Sequence, residues 1–175
     1  GNSIEVAQFD IRDGGGSSDA DALSTTLTGL TLNVANSGGL RRIALFDGTT
    51  NVGEVASGAT ATFSGLTLAA ADNGSKTFSV RVSFLSSVTD NQQFSFAVNS
   101  ATASGSGSDF AAGDAGGAVS STTGDNNRIE VTASDLMFDV DPSTVSINAV
   151  MSPAPTILAV DGNGNKTFEL RADPI

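Results

Sequence analysis

Histidine, cysteine, tryptophan and tyrosine are all absent from this 175-residue chain, and each absence closes a chemistry. Without His and Cys there is no Ser-His-Asp or Cys-His nucleophile arrangement, and no zinc site built from imidazole or thiolate. Acid-base hydrolysis would rest on carboxylates or lysine alone, and no spacing of acidic residues here sets two of them across a cleft. Carbohydrate-binding sandwiches commonly stack sugars on exposed Trp or Tyr, whereas the ten Phe of this chain mostly fall on alternating, inward positions. The sequence therefore reads as non-enzymatic. Basic residues are also few: 8 Lys and Arg against 19 Asp and Glu give a formal charge of −11 and a pI near 4.1. Phosphate backbones and anionic membrane surfaces need clustered Lys or Arg, and only Arg41 and Arg42 are adjacent, so neither nucleic acid nor membrane insertion is expected. No apolar run approaches the roughly 20 residues that span a bilayer, and the N-terminus lacks the basic and apolar regions of a signal peptide. The abrupt start and finish are those expected of a segment cut from a longer chain. Absence of Cys is compatible with cytosol and bacterial exterior alike.

What is present is period-2 alternation from end to end, with no window of helical periodicity. Leu30, Leu32 and Val34; Phe78, Val80, Val82 and Phe84; and Phe94, Phe96 and Val98 each place apolar side chains on one sheet face. Asp47-Gly48, Asp72-Asn73-Gly74, Asp90-Asn91 and Asp161-Gly162-Asn163-Gly164 punctuate the runs as turns. The pattern predicts strands over 3–12, 25–35, 41–47, 51–56, 59–69, 76–85, 92–101, 128–133, 136–140, 143–149, 156–161 and 166–171. The expected fold is all-β, a Greek-key sandwich of uneven strands rather than a closed barrel. Residues 101–127 turn rich in Gly, Ser, Ala and Asp, with Phe110 as an apolar anchor that either docks on the sandwich or sits in a linker.

After that segment, Asn127-Arg128-Ile129-Glu130-Val131 echoes Asn2-Ser3-Ile4-Glu5-Val6, as if a unit restarts. The expected organisation is one sandwich over 1–126 and a partial second unit over 128–175. An immunoglobulin-like sandwich needs about 100 residues, so the second unit is incomplete. Its strands, carrying Phe138, Val145, Ile147, Ile157 and Val160, cannot bury one face alone. They pack on the first sandwich or pair with a neighbouring molecule, and a dimer through unpaired C-terminal strands is one outcome.

Fifteen of the nineteen acidic residues are Asp, which favours turns and oxygen-rich ion sites over helix faces. The densest group is Asp10, Asp13, Asp19 and Asp21 around Gly14-Gly15-Gly16. Calcium takes six to eight oxygens, and a glycine-rich loop lets carbonyls join carboxylates, so these four are the candidate metal ligands. A solvated loop using Asp and Gly for turn geometry is the competing reading. Asp161-Gly162-Asn163-Gly164-Asn165 resembles half an EF-hand, but Lys166 and Ala172 occupy the positions that would need Gly and Glu, which favours a hairpin. Lys76 and Lys166, each followed by Thr-Phe, would form a Lys-Asn cross-link only if buried beside Asn and a carboxylate.

Three stretches, FDIRDGGGSSDADALSTTLTGLTLNV, LRRIALFDGTTNVGEVA with FSGLTLAAADNGSKTFSVRVSF, and MSPAPTILAVDGNGNKTFEL, resemble extracellular adhesin-like proteins of Gram-negative bacteria built from tandem immunoglobulin-like sandwiches. The resemblance implies a cell-surface or secreted location, a structural or adhesive role, and often calcium between strands or repeats; the expected partners are neighbouring repeats and a surface glycan or protein ligand. It transfers no catalytic residue. The alternative is an accessory carbohydrate- or protein-binding module of a secreted polysaccharide-degrading enzyme.

Overall fold

In the computed structural model, which describes residues 3–14, 20–110, 117–118 and 127–168, the alternating runs become ten strands. They are β1 (Ile4–Arg12), β2 (Thr25–Ala35), β3 (Leu40–Asp47), β4 (Thr50–Ala56), β5 (Thr60–Ala70), β6 (Ser75–Phe84), β7 (Ser95–Ala103), β8 (Gly117–Ala118), β9 (Asp135–Val140) and β10 (Thr156–Val160). The chain divides into a first unit, 1–85 with 93–128, and a second, 86–92 with 129–175. The loop between β6 and β7 thus belongs to the second unit, an assignment that no local pattern announces.

The first unit is a β-sandwich of two antiparallel four-stranded sheets, ordered β1-β6-β3-β4 and β5-β2-β7-β8. Alternation supplies its core: Ile11, Ile43, Leu45, Phe78, Val80 and Val82 from one sheet, and Leu27, Leu30, Leu32, Phe63, Leu68 and Phe96 from the other, are buried. Each such side chain contributes roughly 1.5–3 kcal/mol by leaving water. Two strands change phase part-way. In β2 the inward set moves from Thr25 and Leu27 to Leu30, Leu32 and Val34 across a bulge between Leu27 and Gly29. Its partner β5 moves from Ala61 and Phe63 to Leu66 and Leu68 across Gly65, whose φ of 67° suits glycine. A Cβ at Gly29 would lie 2.6 Å from Thr102 Oγ1, so a side chain there requires Thr102 to turn away.

The segment after β7 stays with the sandwich where it is described. Ser104 N donates to Thr26 O and Ser108 N to Ser24 O, Phe110 is half-buried, and β8 pairs with β7.

The second unit has one antiparallel pair, β9 with β10. Of the five apolar residues expected to lack cover, Phe138, Val145, Ile147 and Ile157 are exposed, while Val160 is buried. Two expected strands are corrected. Residues 128–133 form only an isolated bridge at Arg128, because side-chain and loop acceptors take the backbone there: Ile129 N donates to Gln92 O and Val131 N to Asp90 Oδ1. Residues 143–149 pair with no strand among the described residues and close a turn instead, Ala149 N to Ser146 O, with Asn148 at φ 67°. Of the last expected strand, Lys166 bridges Val160, and 169–171 lie outside the described residues.

Candidate functional site

Of the four carboxylates expected around a calcium ion, Asp10, Asp13 and Asp21 lie among the described residues, and they do not form one group. Asp10 lies on β1, and its Oδ1 accepts from Thr77 Oγ1 of the opposite residue on β6 at 2.6 Å. Asp19 lies outside the described residues. Asp21 is engaged by the segment after β7: both its carboxylate oxygens accept from Ser108 Oγ, each at 3.2 Å. Among the described residues no three acidic side chains stand close enough to hold one ion.

Asp13 is instead a clasp. It is 4 % exposed, directly after β1. Oδ1 accepts from Thr25 Oγ1 at 2.6 Å, Oδ2 from Asn73 N at 2.8 Å, and its own N–H donates to Gly74 O at 2.9 Å. One residue therefore ties the end of β1 to the start of β2 and to the β5–β6 turn. The Thr25 hydroxyl first, and the Asn73 amide after it, hold the Asp13 carboxyl below the usual range, against the opposing effect of burial. Asp21 Oδ1 also accepts from Leu23 N at 2.8 Å. The oxygens of both carboxylates thus already serve as acceptors, and an ion there would share or displace protein donors.

The same device occurs twice in the second unit. Asp90, 5 % exposed, accepts from Val131 N at 2.8 Å on Oδ1, and from Phe168 N at 2.7 Å and Thr167 Oγ1 at 3.2 Å on Oδ2. Burial acts to raise its pKa, yet the amides of Phe168 and Val131, with Thr167 and Asn91, bring it below the ordinary value. Asp161 closes the predicted hairpin: Oδ1 accepts from Asn163 N and Asn165 N, both at 2.9 Å, and Oδ2 from Asn165 Nδ2 at 2.9 Å. The Asn165 side chain and then its backbone amide lower the Asp161 pKa. Asn165 reaches further, donating to Ser86 O at 2.9 Å and accepting from Val88 N at 3.0 Å. Asp90 carries no local signature beyond a turn, since its donors lie 41 and 78 residues away.

Neither lysine meets the requirement for a cross-link. Lys76 pairs with Asp47 and Lys166 with Asp139, each side chain about half exposed. The pairs share a sequence pattern. Asn73-Gly-Ser-Lys-Thr-Phe78 recurs as Asn163-Gly-Asn-Lys-Thr-Phe168, and Phe46-Asp47 recurs as Phe138-Asp139. In each unit the motif lysine finds the aspartate of the motif Phe-Asp, and the following threonine donates to an aspartate, Thr77 to Asp10 and Thr167 to Asp90. The two copies differ in cover: Phe78 is 1 % exposed and Phe168 70 %. Comparison with known proteins yields no matching family model, no matching curated protein and no matching solved structure.

Proposed function

We propose that the chain is a non-catalytic structural and adhesive module of a bacterial cell-surface or secreted repeat protein, two successive units of immunoglobulin-like kind. The observation that carries this reading is the recurrence of Asn-Gly-x-Lys-Thr-Phe, whose lysine pairs with the aspartate of a Phe-Asp step in both units. Strand pairing lends support. β2 with β5 and β3 with β6 reproduce the B–E and C–F pairs of an immunoglobulin sandwich, while β1 stands beside β6 and β7 beside β2, where strands G and A would stand. The Greek-key family is thus favoured by its centre and altered at its margins.

The β9–β10 pair presents Leu136, Phe138 and Ile157 on one face, all exposed. In this reading a neighbouring immunoglobulin-like repeat covers that face, as a second sheet covers Phe78 in the first unit. Sedimentation of the chain alone is expected to show a monomer; a concentration-dependent dimer would mean that a second copy takes the place. An antibody against the chain is expected to label intact cells of the source organism, and labelling only after permeabilisation would overturn the surface assignment.

Calcium at Asp10, Asp13, Asp19 and Asp21 belongs to the same proposal, with a weak site expected because Asp10, Asp13 and Asp21 each already accept protein hydrogen bonds. With a dissociation constant of about 1 mM, as in extracellular modules, about 5 mM calcium stabilises by about 1 kcal/mol. The melting midpoint should then rise by about 2–4 °C over chelator. An unchanged midpoint removes the ion from the proposal. The accessory-module reading has one observation in its favour, a cationic groove on the β1-β6-β3-β4 sheet.

A further inference from the structure

Three of the eight basic residues of this acidic chain meet on one outer sheet face of the first unit. Arg41, Arg42 and Arg81, with Ser3, Phe46, Asn51 and Glu54, line an open groove of about 350 Å³. A bulge in β3 makes this possible. Against β6 the register steps from Leu40↔Phe84 to Arg42↔Ser83, leaving Arg41 as the extra residue. Leu40 and Ile43 are buried while Arg41 and Arg42 between them are both exposed, so two successive side chains face out where alternation allows one.

Two of the guanidinium groups are held in place. Arg42 Nε donates to Glu54 Oε1 at 2.8 Å, and Glu54 Oε2 accepts from Asn51 Nδ2 at 3.3 Å. Arg81 donates to Ser3 O at 2.7 Å and to Ser3 Oγ at 3.1 Å, and its guanidinium lies 5.2 Å from the centre of the Phe46 ring. Arg41 has no carboxylate partner among the described residues. Glu54 is the one carboxylate lining the groove, and Glu5 stands opposite Arg81 in β1, so three arginines against two carboxylates leave a local cationic excess on a chain of charge −11.

We propose that this groove binds an acidic sugar, a single carboxylate on a hydroxyl-rich ring. Guanidinium groups match carboxylate geometry through paired N–H donors, and Arg41 is the group at liberty to supply them. The hydroxyls of Ser3, Thr49 and Ser83 and the amide of Asn51 line the same groove, with donor and acceptor capacity that sugar hydroxyls satisfy. Phe46 supplies the apolar surface. The volume falls in the lower part of the range usual for small-ligand sites, about 300–1,000 Å³. A long polyanion is disfavoured by the field of the remaining carboxylates, whereas one carboxylate meets mainly the local arginines. The site concerns adhesion rather than the spacer role, and its failure would leave the surface assignment standing.

The test is an amide-resolved NMR titration of the full chain with sodium glucuronate, glucose and sodium acetate. Glucuronate is expected to give saturable shifts at Arg41, Arg42, Asn51 and Arg81 in the millimolar range, with glucose and acetate at least about tenfold weaker. Arg41→Gln should weaken glucuronate about tenfold or more with an unchanged melting midpoint, while Arg12→Gln, which removes the same charge outside the groove, leaves binding intact. Absence of saturable shifts overturns the proposal. So does acetate binding as tightly as glucuronate, which would reduce the groove to a generic anion contact, and so does indifference to Arg41→Gln.

Discussion

Asp90→Ala is expected to destabilise the second unit by about 3 kcal/mol while leaving the first largely intact. The substitution removes a charged acceptor from the amides of Val131 and Phe168 and from the Thr167 hydroxyl. Val131 is buried, so its N–H loses its partner with little water to replace it; Phe168 is exposed, and water recovers part of that loss. The unit has few reserves, because its described apolar core consists of Ile129, Val131 and Val160. Asp90→Asn keeps one carbonyl acceptor but turns an NH2 group towards the remaining donors, and about half the loss is expected. Urea unfolding followed by far-ultraviolet circular dichroism suits a chain without Trp or Tyr. Amide exchange then locates the effect: protection at Val131 and Phe168 should collapse while Leu32 and Val80 keep theirs. A loss within about 0.5 kcal/mol of zero would show that the clasp is replaceable by solvent.

The same residue shows where sequence reading stops. Strands with a repeating apolar step were legible, and β2 and β6 fall within a residue of the ranges expected from alternation. The bulges in β2 and β5 were not, although Gly65 and the change of apolar phase mark them afterwards. Segment 143–149 has the same alternation as a strand, yet a strand needs a neighbour, and period 2 says nothing about one. Among the acidic residues, composition points to Asp as the feature of interest, but not to the cross-strand threonine that engages Asp10. Asp13 was visible as a loop residue; its partners Thr25 and Asn73 lie 12 and 60 positions away and become neighbours only when β1, β2 and the β5–β6 turn meet. The adjacent pair Arg41-Arg42 was visible as well, but alternation predicts opposite faces for two neighbours, and only the bulge puts both in one groove.

Acid should expose the three clasps together. The carboxyls of Asp13, Asp90 and Asp161 all lie below the ordinary range because each accepts several hydrogen bonds as an anion. An unfolded chain returns them to about 3.9. Above that value both states are ionised and the clasps contribute in full; as pH falls through the lower folded values the native anions take up protons and the contribution is lost. Stability is therefore expected to stay level from neutral pH to about pH 5, to begin falling near pH 4 and to drop further below it. The two units share the device, so both should lose stability across the same interval. Asn at position 13, 90 or 161 lowers stability at neutral pH and flattens the acid limb, because the variant side chain has no proton to take up. Urea midpoints measured from neutral pH down to about pH 2.5 decide the matter. A midpoint that rises between pH 5 and pH 3 would mean that relief of repulsion on this chain of charge −11 outweighs its clasps, and that the three aspartates are tolerated rather than stabilising.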